Sequence, residues 1–451
     1  MDHRTMHPID VFARHATDFR DHRLDAEVLH HAKRAVIDWH AALFPGLDVD
    51  PMPQLRRVLA DDLDRGAARL PGGRAATWRA AALLNGTAAH AAEVDDSFRD
   101  AMYHPGAATI AAALATAQQQ GADGLAFLRG VVAGYEVSTR IGVALGRAHY
   151  RYWHNTGTVG TFGAAAATAG LLGLHGAPFG HALATAATFA AGLQQAFRMD
   201  SMSKPLHAGR AAEAGVLAAQ LAAEGVTGSR DVLDGDAGLG RAMGEGGDWS
   251  AVGDTLGREF HITRLTFKNH IGCGHTFAAI DAALELVRRH GLRPDDIRSV
   301  HVATYGPALD IACHQNPATE NEARFSLRFV VATALVHGSV RLNAYTPERL
   351  ADARTRAMIG RITAVVDPEL DAAFPARRSA RVEIETTAGQ RHVWLQPDRK
   401  GDPELPLSDA ELDGKFLELA SPVLGDAGAR TLLGRLWTLD DAAAGDLSRL
   451  F

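Results

Sequence analysis

The chain has 451 residues, 47% of them hydrophobic and 22% charged, with a formal net charge of −7. That length predicts two or three domains and the composition excludes wholesale disorder. The acidic balance leaves no basic surplus for a phosphate backbone, so nucleic acid is not an expected partner.

The opening segment MDHRTMHPIDVFARHATDFR has no apolar core of signal-peptide length. The two cysteines, Cys273 and Cys313, are too few for a disulfide framework. Both readings fit a reducing cytoplasm. Residues 25–40 carry Leu29, Ala32, Ala35, Val36 and Trp39 at helical spacing. Asn85-Gly86-Thr87 reads as a turn. Apolar helical windows follow at 105–120, 123–147, 156–174, 178–197 and 209–224, separated by Gly, Pro or short polar clusters. The most apolar of them, 156–174, consists of Ala, Gly and Thr rather than Leu and Ile. It falls short of the roughly 20 strongly apolar residues of a membrane span and reads as a buried helix. Residues 9–250 are therefore predicted to be all-α.

The pattern changes near residue 260. Phe277, Ile280, Leu284 and Val287 share one helix face within 276–290, and Gly291 is the stop. Val300, Val302 and Thr304 alternate along a strand at 297–305. Residues 381–386 and 391–395 read as a hairpin around Thr387-Ala-Gly-Gln. The expected fold is mainly α: an all-α domain of 1–262 with 401–451, and a smaller α+β domain of 263–400. The helical tail, 407–451, is expected on the first domain.

Several motifs are missing. No Gly-rich loop ends in Gly-Lys-Ser/Thr, and the glycines at 235, 238, 240 and 244 lack dinucleotide spacing. Ser201-Met-Ser-Lys204 imitates the Ser-x-x-Lys of penicillin-binding enzymes, but no Lys-Thr-Gly follows. His270, Cys273 and His275, at spacings of three and two, fit no common zinc pattern. They read as a polar loop ending in a helix cap at Thr276, and no metal is expected.

Four polar segments stand out, each just before an apolar helix. The first is His90-Ala-Ala-Glu93-Val-Asp95-Asp96-Ser97, followed by His104-Pro-Gly. Alone it reads as a solvated helix end. Between two apolar stretches its carboxylates require donors or cations nearby. The second, Trp153-His154-Asn-Thr-Gly-Thr158, reads either as a plain cap with His154 exposed or as an anion site at a helix start. The third, Ser203-Lys204-Pro-Leu-His207-Ala-Gly-Arg210, reads as a carboxylate-binding loop or a surface turn. The fourth runs from Phe267-Lys268 through His270 and Cys273 to His275-Thr276.

Together these segments resemble the MmgE/PrpD family, which includes 2-methylcitrate dehydratase, cis-aconitate decarboxylase and iminodisuccinate epimerase. The likeness also includes Asn85-Gly86, Gly157-Thr158-x-Gly160-x-x-Gly163 and Ala323-Arg-Phe-Ser326-Leu, and spans roughly 10–400. It implies a homodimer without metal or organic cofactor, in which the α+β domain is a lid and the site lies in a cleft. It maps family site positions onto Glu93, Ser97, His104, His154, Lys204 and Lys268. Glu93 and Ser97 replace the family's usual Asp and Thr, and Cys273 stands where the decarboxylase branch has a histidine.

The resemblance implies proton transfer next to a carboxylate on a small di- or tricarboxylate. His104 and His154 are the expected proton carriers, with Asp95 or Asp96 orienting one of them. Lys204, Lys268 and Arg210 are candidates for holding carboxylates. Glu93, Asp96, Ser97, His207, Cys273 and His275 are candidate pocket residues, the roles of His207, His270 and Cys273 being open. Dehydration of the 2-methylcitrate kind is the expected reaction; decarboxylation or epimerisation in the same pocket is the alternative. A non-catalytic carboxylate-binding protein is a third reading.

Overall fold

The computed structural model describes residues 6–21, 24–197 and 201–451. The chain divides into two compact units, Met1–Thr266 with Ser408–Phe451, and Phe267–Leu407. No helix among the described residues is long and apolar enough to cross a membrane.

The first unit is a stack of helices. Numbering those of eight residues or more, they are α1 (Pro8–Asp21), α2 (Ala26–Gly46), α3 (Trp78–Ala91), α4 (Pro105–Gln120), α5 (Gly124–Tyr150), α6 (Asn155–Leu171), α7 (Ala177–Phe189) and α8 (Ser203–Ala223). Small side chains set how closely they pack. Every residue of α6 from Asn155 to Ala169 is buried. A Cβ on Gly209 of α8 would strike the Thr87 hydroxyl and the Leu83 carbonyl of α3. The unit is not purely helical. A short ribbon pairs β1 (Leu63–Arg69) with β2 (Ala75–Ala76), which the sequence reading did not include.

Two further expectations are corrected. Asn85-Gly86-Thr87 is no turn but the middle of α3, where Asn85 is buried and donates to the Arg69 carbonyl at 3.2 Å. The helix after segment three starts at Ser203 rather than 209. Pro205 lies in its first turn, where the missing N–H has no intrahelical partner to lose.

The second unit is α+β. It contains α9 (Phe277–His290) and α10 (Leu327–His337). Its mixed sheet has the order β4-β3-β5-β6, from β3 (Ile297–Thr304), β4 (Ile362–Val366), β5 (Ala380–Thr386) and β6 (Arg391–Gln396). β3 runs parallel to β4 and antiparallel to β5. Val300, Val302, Val382 and Ile384 form its buried face. Strand β4 was not anticipated. Thr276 precedes α9, but its hydroxyl donates to the Cys273 carbonyl at 2.8 Å and does not cap the helix. The C-terminal α11 (Asp409–Trp437) belongs to the first unit, where it packs on α2.

Candidate active site

In the first unit, one helix end and three helix starts bring the first three polar segments together. His90 lies in the last turn of α3. His104 and His154 are the residues immediately before α4 and α6, and Lys204 and His207 lie in the first turns of α8. The backbone N–H of His104 donates to the Thr156 hydroxyl at 3.2 Å, and the Asn155 amide donates to the Ala101 carbonyl at 2.7 Å. These bonds tie the starts of α4 and α6 to one another. Helix starts carry unsatisfied N–H groups and a partial positive charge, which favours anions.

Four imidazoles meet here. The His90 ring is fully buried, with its centroid 5.5 Å from that of His154 and 4.9 Å from that of His104. His154 and His207 face each other through Nδ1 atoms 3.0 Å apart. Burial, then the neighbouring His90, Lys204, His207 and His104, hold His154 well below the ordinary histidine range. Burial also pushes His207 down to about 4, with His90 and Lys204 adding to it. Both rings are therefore neutral near pH 7.

Asp95 is buried and accepts from His90 Nδ1 at 2.7 Å, with His104 Nδ1 at 3.4 Å. His104 Nδ1 also donates to the Asp96 carbonyl at 2.7 Å. Both rings thus carry hydrogen on Nδ1, leaving the lone pair of the neutral ring on Nε2. His90 Nε2 is buried and has no hydrogen-bond partner among the described residues. The ligand-capable atoms of His90, Asp95 and His104 lie within 4.8 Å of one another. Their Nδ1–H groups are held on the Asp95 carboxylate and the Asp96 carbonyl, so in this structure the three residues form a hydrogen-bond network.

Asp96 is buried at the start of α4. It accepts from the Gly106 N–H at 3.0 Å and the Tyr135 hydroxyl at 2.8 Å. Burial and nearby Asp38 push its carboxyl up to about 8, against the pull of those two donors. The glycine of His-Pro-Gly is required by this approach: a Cβ on Gly106 would stand 2.7 Å from Tyr135 Oη and 2.9 Å from Asp96 Oδ1.

Glu93 forms an ion pair with Lys204. Its backbone is left-handed, with φ at +60°. A side chain other than glycine, Asn or Asp costs about 1–2 kcal/mol there. Strain of this kind concentrates at functional sites.

Among the remaining candidates of this unit, Ser97 exchanges backbone hydrogen bonds with Thr266, each at 2.9 Å. Arg210 is exposed and paired with Glu213 one turn along α8, so the structure does not gather it with the histidines. Neither plain reading of the first two segments describes them: Asp95, Asp96 and His154 are buried.

Lys268, Cys273 and His275 belong to the second unit. Lys268 is half-buried. His270 is locked to Asp281 at 2.7 Å, and Asp281 accepts from the Lys400 N–H at 2.8 Å, a structural pin. His275 Nδ1 lies 2.9 Å from the Tyr305 hydroxyl. Burial, then Arg378 and Arg399, push His275 down to about 3. Burial pushes the Cys273 thiol up to about 11, leaving it protonated and unreactive. Among the described residues, His270, Cys273 and His275 form no ligand set, since the two imidazoles are engaged elsewhere.

Three residues near the site were not candidates from sequence: His90 as an Asp95-bound ring, Tyr135 on Asp96, and Lys415 of α11. Lys415 Nζ donates to Asp38 at 2.6 Å and to the Val94 carbonyl at 2.8 Å. Only His90 left a trace in the sequence, as a histidine five residues before an aspartate.

The MmgE/PrpD N-terminal domain model matches residues 10–252, and the MmgE/PrpD C-terminal domain model matches residues 270–439. The cis-aconitate decarboxylase-like protein oryM of Aspergillus oryzae is 28% identical over 461 aligned residues, covering 96% of this chain and 94% of that protein. Cis-aconitate decarboxylase of Homo sapiens is 27% identical over 378 residues, covering 80% of this chain and 76% of its own. The Mus musculus protein of the same name is 27% identical over 384 residues, covering 80% and 75%.

Proposed function

The chain belongs to the MmgE/PrpD family, and from that premise we propose that it is a lyase that decarboxylates a small tricarboxylate of the cis-aconitate type. The observation that carries this reading is the meeting of His90, His104, His154 and His207 beside Asp95 and Lys204, at three helix starts. The sequence alone favours dehydration. The three relatives named above all bear decarboxylase names, which moves decarboxylation ahead of it.

Decarboxylation asks two things of a site. The electron pair left by the departing carbon dioxide must be stabilised, and one proton must be added to carbon. The α4, α6 and α8 starts and Lys204 supply positive potential for the carboxylates and for the developing charge. The C–CO2 bond breaks, its electron pair moves into the conjugated carboxylate, and an imidazolium donates the proton. His104 suits that role. Its Nδ1–H is fixed on the Asp96 carbonyl, with the Asp95 carboxylate 3.4 Å away, so the proton to be donated is carried on Nε2. Solvent returns the proton after each turnover. His90, bound to Asp95, and His154, bound to His207, complete the proton-bearing wall.

Dehydration is the second reading, favoured by Cys273 at the position where the decarboxylase branch carries histidine. Proton NMR of the purified protein with cis-aconitate, 2-methylcitrate and an amino dicarboxylate distinguishes the readings. Carbon dioxide release from cis-aconitate supports decarboxylation. Alkene formation from 2-methylcitrate alone replaces it with dehydration. Inversion without loss of mass replaces both with epimerisation.

A further inference from the structure

Lys415 is a buried lysine that the chemistry above does not use. It is 2% exposed, and its partner Asp38 is fully buried. Ion pairs at such depth lose hydration on both sides, and apolar pairs of similar volume usually stabilise a fold as well or better. Stability is therefore a poor account of this pair. What an apolar pair cannot do is donate a hydrogen bond to the Val94 carbonyl, as Lys415 does at 2.8 Å.

Val94 stands between the two working carboxylates. On one side is Glu93, held at φ +60° and paired with Lys204. On the other is Asp95, which holds the His90 ring. The Val94 carbonyl belongs to the peptide plane that enters Asp95. Fixing that plane sets the backbone from which the Asp95 side chain projects and anchors Val94, the residue that follows the left-handed Glu93. We propose that Lys415 is a positioning residue: from α11 it clamps the Val94 peptide, and so sets Glu93 against Lys204 and Asp95 against His90. The inference rests on the proposed decarboxylation for its kinetic test but not for its geometry.

The test replaces the pair by apolar residues, Asp38→Leu with Lys415→Met, so that no unpaired charge is left behind. The protein is expected to melt cooperatively with wild-type helical content. Its kcat on cis-aconitate is expected to fall about ten-fold or more, and in a Glu93→Gln background, where only the Asp95 route remains, the same pair is expected to cost a clearly smaller factor, since coupled residues are not additive. A merely structural role gives the same factor in both backgrounds and overturns the proposal, as does wild-type kcat in the folded pair variant. Asp38→Asn keeps the donor on Val94 and is expected to retain activity within about three-fold; a folded Asp38→Asn that loses as much as the pair variant also overturns it. Should the wild type leave cis-aconitate untouched, the reading of function fails by itself. The positioning is then read from histidine side-chain 1H–15N spectra. The Nδ1–H resonance of His90 on Asp95 is expected in the wild type and lost or shifted in the pair variant, and its persistence unchanged overturns the proposal.

Discussion

His154 and His207 meet through their Nδ1 atoms at 3.0 Å, so a single proton lies between two rings that burial keeps neutral. One ring must donate and the other accept, which couples the tautomer of His154 to the presence of His207. His207→Phe is predicted to lower kcat by about 10²-fold, in the range seen for loss of acid–base groups or the partners that orient them. His207→Gln, which keeps a polar partner, is predicted to recover part of that loss. Steady-state kinetics of the two variants check it, and equal losses would contradict the coupling.

Glu93 combines an ion pair with a left-handed backbone. Glu93→Ala and Glu93→Gly both delete the carboxylate, but only glycine relieves the φ of +60°. The glycine variant is predicted to be more stable than the alanine variant by about 1 kcal/mol. Both are predicted to lose activity. Denaturant titration of the two proteins gives the comparison, and an alanine variant at least as stable as the glycine one would remove the argument from strain.

Close approach of α3 and α8 sets the distance between His90 and the Lys204–His207 turn. Gly209→Ala forces a methyl group into the Thr87 hydroxyl and the Leu83 carbonyl. Overpacking against backbone costs about 1–3 kcal/mol. The substitution is predicted to lower the unfolding free energy by that amount in denaturant titration, and to reduce kcat more than a remote variant of equal stability.

His40, His149 and His154 are held neutral, the first two pushed down to about 4 and the third well below its ordinary range, in each case chiefly by burial. The unfolded chain binds protons at these positions near pH 6.5, whereas in the folded chain His40 and His149 do not until about pH 4, and His154 is lowered in the same direction. Between those values the unfolded state carries more protons, so stability is complete above about pH 6.5 and is lost as the pH falls toward 4. Each site contributes a slope of about 1.4 kcal/mol per pH unit in that window. Thermal melts from pH 7.5 to 5 are predicted to show a midpoint falling by several degrees below pH 6.5, and a flat profile would show that the rings accept protons in place.

Much of the fold was legible because its helices are continuous Ala-rich segments punctuated by Gly and Pro. Strand β4 was not, since Ile362–Val366 is a short β-branched run whose parallel partner β3 lies some 60 residues earlier. The first turns of α8, before residue 209, look like loop because Pro205 resembles a breaker, although the first helical turn accepts it. The polar segments were visible as expensive residues among apolar ones. Which atoms meet was not. His90 looks like any histidine at the end of an apolar helix. Lys415 lies 321 residues from the carbonyl it holds, and only tertiary structure joins them.

The most direct measurement follows cis-aconitate in heavy water by 1H and 13C NMR with the wild type, His104→Gln and Lys204→Ala. The account predicts that the wild type releases carbon dioxide and leaves one deuterium on the protonated carbon. Both variants are predicted to melt like the wild type and to turn over less than about 10⁻² as fast. Full turnover by either folded variant would contradict the assignment of the reaction to this cluster.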